Sequence, residues 1–157
     1  MTRLRLSILA AALAFGAGPA FAATPAEDAV RAVYMDGIAA FNRHDLEVFV
    51  QQFSTDVEMY TPTGWLRGKD AVRARFVETF AGWPNVRMEI DELNTRQVAS
   101  DTVLVDFKWR TFPGGETAAF HGVATGAYVL RSGVWVEVLE HETVTRVDPG
   151  AAIPPRR

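Results

Sequence analysis

The sequence predicts one α+β domain in which three N-terminal helices cover one face of an antiparallel sheet. Up to about residue 80, apolar side chains recur every three or four positions, which is the spacing of an amphipathic helix. From about residue 86 they recur every second position, which is the spacing of a half-buried strand. Helices followed by strands are typical of α+β domains, and 157 residues suffice for one such domain.

Local signals predict where the three helices begin and end. Thr24 and Glu27 can form a capping box around a first helix that starts at Pro25. Asp45 can cap a second, shorter helix that reaches residue 53. A short β-like run covers residues 57–61, and a third helix is predicted over residues 68–80.

Four strands are predicted over about residues 86–95, 102–112, 117–131 and 134–147, with turns at residues 100–101, 114–115 and 132–133. Tight two-residue turns would place Trp109 opposite Phe120, and Ala124 opposite His141. One face of the sheet, predicted to meet the helices, then carries Val105, Phe107, Trp109, Phe120, Gly122, Ala124, Gly126, Tyr128, Leu139, His141 and Thr143.

The opposite face of the sheet is predicted to be partly apolar and free of helices. Charged residues lie on it at Asp106, Lys108 and Arg110. An uncovered apolar patch usually marks an interface, so we expect a homodimer through this outer face. The apolar residues predicted there are Val123, Ala127, Val129, Val136, Val138 and Val144.

The N-terminus has the pattern of a secretory signal peptide. Arg3 and Arg5 precede an uncharged stretch over residues 6–23, and residues 20–22 read Ala-Phe-Ala, a signal-peptidase site. We expect a signal peptide over residues 1–22, a domain over residues 23–147 and a disordered tail over residues 148–157. The mature protein would be periplasmic or secreted and free of the membrane, and an uncleaved membrane anchor is the alternative.

Charge and composition exclude several classes of protein. The net charge is −3 and becomes two units more negative when the signal peptide is removed. A negative charge argues against nucleic acid as a partner. The absence of cysteine excludes disulfides and thiolate sites. His141 alternates with Glu140 and Glu142 along a strand, so these three side chains are not expected to share a metal. We expect neither a metal nor a cofactor.

The candidate site lies between the first helix and the sheet. His141 is predicted to be a catalytic acid or base in the interior, with Tyr34 as a hydrogen-bond donor across from it. A structural histidine and a core tyrosine are the alternatives for these two positions. The remaining residues predicted to bind the ligand are Tyr60, Trp65, Trp83, Phe107, Trp109, Phe120, Gly122 and Ala124.

Four segments resemble a known superfamily. They are residues 42–46 (Asn-Arg-His-Asp-Leu), residues 53–57 (Phe-Ser-Thr-Asp-Val), residues 68–72 (Gly-Lys-Asp-Ala-Val) and the closing strand over residues 135–143 with its Trp135 and His141. From about residue 27 to residue 146 the chain resembles the nuclear transport factor 2-like superfamily, and within it the SnoaL-like polyketide cyclases. The resemblance implies a cone-like fold with a curved sheet, an apolar pocket and frequent dimers, but no single reaction.

The chain departs from the ketosteroid isomerases of that superfamily. Thr61 stands where those relatives have a carboxylate base, and a hydroxyl cannot replace that base near neutral pH. Gly37 stands where they have a donor tyrosine, with Tyr34 one turn earlier.

Three functions stay open at this point. The first is an exported domain that binds a small apolar or aromatic molecule and acts as a cofactor-independent isomerase, cyclase or dehydratase. The second is a non-catalytic ligand-binding module, and the third is an oligomerisation module.

Overall fold

The computed structural model describes residues 22–151, which form three helices packed on one six-stranded sheet. The helices are α1 (Pro25–Asn42), α2 (Leu46–Phe49) and α3 (Lys69–Gly82), with a 3₁₀ turn over Val50–Gln52. The strands are β1 (Phe53–Thr61), β2 (Gly64–Arg67), β3 (Arg87–Ala99), β4 (Thr102–Phe112), β5 (Phe120–Arg131) and β6 (Val134–Val147). The predicted α+β class is confirmed.

Helix α1 begins where its sequence predicts. Thr24 Oγ1 accepts a hydrogen bond from Glu27 N at 3.2 Å, and Glu27 Oε2 accepts one from Thr24 N at 2.8 Å. The other oxygen of Glu27 accepts from Gln97 N at 2.7 Å, which ties the start of α1 to β3. The helix buries Val30, Tyr34, Gly37, Ile38, Ala40 and Phe41.

The sheet is antiparallel except for one pair of strands. Its order is β2-β1-β6-β5-β4-β3, and β1 runs parallel to β6. The prediction of a wholly antiparallel sheet is therefore wrong for the pair of β1 and β6. Strand β2, which the sequence did not predict, pairs with β1 and sets Trp65 opposite Tyr60.

The register between β4 and β5 differs from the prediction by two residues. Trp109 lies opposite Gly122, and Phe107 lies opposite Ala124. The tight turn assumed at residues 114–115 is in fact the longer loop of residues 113–119. Because side chains alternate with a period of two, an even shift leaves every residue of both strands on its predicted face.

A β-bulge in β6 changes which side chains face the helices. Leu130 lies opposite Trp135 as predicted, and Tyr128 lies opposite Glu137. The next pair is Ala127 with Leu139, so Val138 is an extra residue. A bulge of one residue inverts the alternation beyond it.

The predicted inward direction of His141 is therefore wrong. Ala124 lies opposite Glu142, and His141 lies opposite Thr125 on the outer face, where it is exposed. Leu139 and Thr143 are likewise exposed rather than inward. Val144, predicted on the outer face, packs against the buried core instead. Glu137, Glu140 and Glu142 take the inward positions.

The C-terminal end of the described chain is held in place. Asp148 Oδ2 accepts from Ala119 N at 3.3 Å and lies 2.9 Å from His121 Nε2. Ordered structure therefore extends past the predicted boundary at residue 147. The predicted signal peptide, apart from Ala22, and the last six residues of the predicted tail lie outside the described residues. Within residues 22–151, no helix has the length and apolar character to cross a membrane.

Candidate functional site

A small cavity lies between the helices and the sheet. Its volume is about 30 Å³, close to the space that one water molecule occupies. Apolar side chains from α1, α2, α3 and strands β1, β3 and β4 form most of its wall, and β6 supplies three glutamates. Tyr34, Phe107 and Trp109, which the sequence placed in the interior, line this cavity.

The bulge brings the glutamates of β6 to the same face. In a regular strand, residues 137 and 140 would point to opposite faces of the sheet. The extra residue Val138 turns Glu140 and Glu142 inward alongside Glu137. Glu137 is 1% exposed and Glu140 is 6% exposed, whereas Glu142 is half-buried.

A hydrogen-bond chain links Gln52, Tyr128 and Glu137. Gln52 Nε2 donates to the carbonyl of Phe49 at 3.2 Å, so the amide oxygen of Gln52 faces Tyr128. That oxygen only accepts, so the Tyr128 hydroxyl donates to it across 3.1 Å. The same hydroxyl is also placed to donate to Glu137 Oε2 across 3.2 Å, so Tyr128 connects Gln52 with Glu137.

Burial raises the pKa values of all three glutamates. Desolvation raises the pKa of Glu137 from 4.5 to about 8. Desolvation raises the pKa of Glu140 well above its ordinary value, and the neighbouring charges of Glu137 and Glu142 raise it further. Desolvation also raises the pKa of Glu142, but a hydrogen bond with Glu140 and, to a smaller extent, the charge of Arg75 oppose that rise. Burial thus favours the neutral, protonated form of Glu140 and of Glu137, and it is opposed by more neighbouring groups at Glu142 than at Glu140.

Tyr34 stands across the cavity from this strand. It is 3% exposed, and its ring lies 4.7 Å from that of Phe107. Burial raises the pKa of its hydroxyl well above 10, and the glutamates add to the rise. Tyr34 therefore keeps its proton near neutral pH.

Comparison with known proteins identifies the family. A model of the SnoaL-like domain matches residues 20–138. The chain belongs to the SnoaL-like domain family. A search of curated proteins gives no match.

Solved structures share the fold of this SnoaL-like domain. An NTF2-like protein from Pseudomonas putida is 21% identical with a TM-score of 0.71, covering 77% of this chain and 87% of that one. A cystatin-like domain from Nostoc punctiforme is 24% identical, with a TM-score of 0.70 and coverages of 79% and 80%. Hexachlorocyclohexane dehydrochlorinase LinA-type3 from Novosphingobium barchaimii is 16% identical, with a TM-score of 0.68 and coverages of 83% and 95%.

Small residues in the SnoaL-like domain make room for functional side chains. A Cβ added at Gly122 would overlap the indole of Trp109, and one added at Gly126 would overlap Glu137 Oε1. One added at Gly37 would overlap the amide of Gln52. The glycines of β5 therefore let Trp109 and Glu137 pack against the sheet, and the space above them is largely filled. Ala124 is a buried core residue between them.

Three predicted site residues lie on the outer face of the SnoaL-like domain instead. Tyr60 contacts His141 with ring centroids 4.9 Å apart and Trp65 with centroids 5.0 Å apart. Trp65 is 51% exposed and Tyr60 is 39% exposed. The prediction that these residues contact an interior ligand together with His141 is therefore wrong, because none of them lines the interior cavity.

Trp83 and Phe120 lie apart from the interior cavity. Their rings stack with centroids 5.8 Å apart. Trp83 lines a separate open groove of about 420 Å³ together with Pro84 and Pro113. Thr61 is held by a local turn, where it donates to the carbonyl of Gly64 at 3.1 Å.

Sequence reasoning missed the glutamates, Gln52 and the polar role of Tyr128. One signal was present, since residues 137–142 place three acidic residues in an otherwise apolar closing strand. Strict alternation assigned two of them to solvent because it could not foresee the bulge. Among residues 22–151, no three acidic or histidine side chains are arranged to hold a metal ion.

Proposed function

We propose that this SnoaL-like domain binds a small apolar or aromatic molecule in its interior and moves protons on it without a cofactor. The observation that carries the proposal is the set of three inward glutamates on β6, facing Tyr34 across an apolar cavity. Neighbouring acids whose pKa values are pushed apart are the usual arrangement for acid–base catalysis. The dehydrochlorinase with the same fold is consistent with such chemistry.

The environments of the glutamates assign their roles. Glu142, with Arg75 nearby, is the base that accepts a proton from the bound molecule. Glu140 is the acid that donates a hydrogen bond or a proton to the developing charge, and Tyr34 assists it. A cavity of about 30 Å³ is far below the ~300 Å³ of a typical ligand site. Binding therefore requires half-buried side chains of the wall, such as Phe76 and Met88, to move.

Turnover tests these roles. A screen of aromatic and polyketide-like compounds by thermal shift identifies ligands, and each ligand is then tested for conversion. We expect Glu140→Gln to lower turnover by about 10²- to 10⁴-fold, because it removes an acid of similar size and shape. His141→Ala is the matched control, since the neighbouring residue lies on the outer face. Loss of turnover in His141→Ala with full activity in Glu140→Gln would contradict the assignment.

A non-catalytic assembly domain is the second candidate function, favoured by the nearly filled interior and the exposed outer face. We propose that this face forms a homodimer, because Val123, Leu139 and Trp65 are 40%, 43% and 51% exposed on it. Light scattering is expected to show a dimer at micromolar concentration and a monomer for Val129→Lys. Val98→Lys, on the edge strand β3, is the control. A wild-type protein that is monomeric at this concentration would contradict the proposal.

We also propose that the protein is exported and that its leader is cleaved after Ala22. The basic residues, the apolar stretch and the Ala-Phe-Ala site of the N-terminus support this. Intact-mass analysis of protein recovered outside the cytoplasm is expected to give a chain that begins at Ala23. A mass that retains residues 1–22 would show that the segment remains attached.

A further inference from the structure

An open groove lies where the described part of the chain ends, apart from the interior cavity. Its volume of about 420 Å³ is in the range of ligand sites. The walls are the end of α3 with the residues after it, the β4–β5 loop, and residues 150–151. Most of the lining residues are glycine, alanine and proline, and the one aromatic side chain among them is that of Trp83.

Contacts on two sides hold the walls of this groove in place. The ring of Trp83 stacks on that of Phe120. Arg87 Nε donates to the carbonyl of Gly115 at 2.7 Å, and Arg87 Nη2 donates to the carbonyl of Glu116 at 3.1 Å. The loop and the aromatic ring are thus fixed before anything binds, which lowers the entropic cost of binding.

The chain itself turns into the groove after β6. Asp148 N donates to the carbonyl of Ala119 at 2.9 Å, and Ala151 N donates to the carbonyl of Asp148 at 3.1 Å, which closes a turn. Pro149 and Gly150 occupy the two central positions of this turn, and Gly150 has the positive φ of 91° that a type II turn requires there. Ala151 then forms part of the groove wall, so the residues after it begin at the groove.

Trp83 carries an unused hydrogen-bond donor. Its indole N–H is buried, and residues 22–151 supply no acceptor for it. A buried donor without an acceptor is unfavourable, so we expect an acceptor from outside these residues. Each peptide bond of a segment that enters the groove brings a carbonyl oxygen, which can accept this hydrogen.

The next six residues have a composition that suits an aromatic groove. Residues 152–157 read Ala-Ile-Pro-Pro-Arg-Arg. A Pro-Pro pair favours the extended polyproline II conformation, which is ordered in advance and which aromatic-lined grooves bind. Among the described residues that line the groove, Glu116 is the only charged one, and its charge is opposite to that of the two arginines.

We propose that residues 152–157 dock in this groove of their own chain as an extended strap. Ile153 and the two prolines pack against Trp83, a carbonyl of the strap accepts from the indole N–H, and the arginines face Glu116. At 3.1 Å per residue the strap is roughly 19 Å long in the polyproline II conformation. Because it is joined to the wall at Ala151, its effective concentration at the groove is on the order of millimolar. For these six residues, the strap replaces the disordered tail predicted from the sequence.

The indole N–H signal of Trp83 in an NMR spectrum tests the proposal. The signal is assigned by its loss in Trp83→Phe. Ending the chain after Ala151 is expected to shift this signal and to speed its exchange with solvent. The signal of Trp65, which lies on the outer face, should stay unchanged as an internal control.

A single substitution keeps the test valid if the shortened chain does not fold. Ile153→Asp in the full-length chain removes the apolar anchor of the strap and should shift the Trp83 signal in the same direction as truncation. Val98→Asp is the matched control, because Val98 is an exposed apolar residue on the edge strand β3. It should leave the Trp83 signal where it is.

A free peptide separates docking of the strap from other effects of truncation. The peptide Ala-Ile-Pro-Pro-Arg-Arg, added to the shortened chain, should restore the Trp83 signal. The full-length chain should bind it at least about tenfold more weakly, because its own strap competes. A peptide with aspartate in place of the isoleucine should not bind. Glu116→Gln in the shortened chain should weaken peptide binding by about 1.5- to 5-fold, the effect of an exposed ion pair.

Two results would overturn the inference. One is a Trp83 signal that truncation and Ile153→Asp leave unchanged. The other is a Trp83 signal of the full-length chain that depends on protein concentration, which would place the segment of a second copy in the groove. Neither result affects the proposed proton-transfer function, because neither Trp83 nor Ala151 lines the interior cavity.

Discussion

Raising the pH from 5 to 8 is expected to destabilise the folded protein by about 3 to 4 kcal/mol through Glu137 alone. The pKa of this carboxyl is raised from 4.5 to about 8 in the folded state. Between these values the unfolded chain releases the proton while the folded chain must keep it, so the free energy of unfolding falls by about 1.4 kcal/mol per pH unit. This contribution to stability is fully present below pH 4.5 and is lost as the pH rises to about 8.

Denaturant unfolding at several pH values measures this effect. Glu137→Gln should make the profile less steep between pH 5 and 8, because the amide cannot ionise, while Glu140 and Glu142 keep their own contributions of the same sign. Glu89→Gln is a control, since the Glu89 side chain is 41% exposed and paired with Arg87 and Arg110 outside the cavity. Arg131 lowers the pKa of Asp56 to about 2, so that ion pair affects stability only at lower pH. A wild-type profile that rises from pH 5 to 8 would contradict a protonated interior.

Substituting Gly122→Leu is expected to cost at least about 3 kcal/mol of stability, at or beyond the upper end of the usual range for overpacking. Even a Cβ at this position overlaps the indole of Trp109 and comes within 2.7 Å of the carbonyl of Thr143. The carbonyl belongs to the neighbouring strand β6, so the strand itself would have to shift.

A matched substitution separates crowding from a general effect of losing glycine. Gly114→Leu is the control, because a Cβ there meets no atom within 4 Å. Gly122→Ala alone should destabilise the protein, and adding Trp109→Leu should recover part of that loss. The leucine side chain is shorter than the indole and leaves room for the new Cβ at position 122. Equal stabilities for Gly122→Leu and Gly114→Leu would mean that the close packing of Trp109 has no energetic importance.

Local chemistry made much of the fold predictable. The capping box of Thr24 and Glu27, the Asp45 cap and the Ser132-Gly133 turn are written in a few adjacent residues, and each appears in the structure. The bounds of β4 and β6 also agree with the spacing of their apolar residues. A structural feature that depends on a few adjacent residues can therefore be predicted from the sequence.

The site was less predictable because it depends on register. Because residues 113–119 form a longer loop than expected, the register of the β4–β5 hairpin differs from the prediction by two residues. An even difference leaves the predicted face of each side chain unchanged. The bulge at Val138 changes the register of β6 by one residue, which is an odd number. Glu140 and Glu142 therefore point inward where His141 was predicted to do so. Val138 differs in no visible way from the other valines of β6, so nothing in its own side chain marks the bulge. Tyr34, Phe107 and Trp109 precede this point and were placed correctly.

The bulge also bears on how the family can diverge. Deleting Val138 would restore regular alternation and turn His141 and Thr143 toward the cavity in place of Glu140 and Glu142. A single-codon deletion would thus replace two of the three interior carboxyl groups by an imidazole and a hydroxyl, while Glu137, which precedes the bulge, would stay inward. One strand therefore encodes two alternative chemistries, and the length of the strand selects between them. An insertion or deletion in β6 therefore changes more interior side chains at once than a single substitution does, because every residue beyond it moves to the other face.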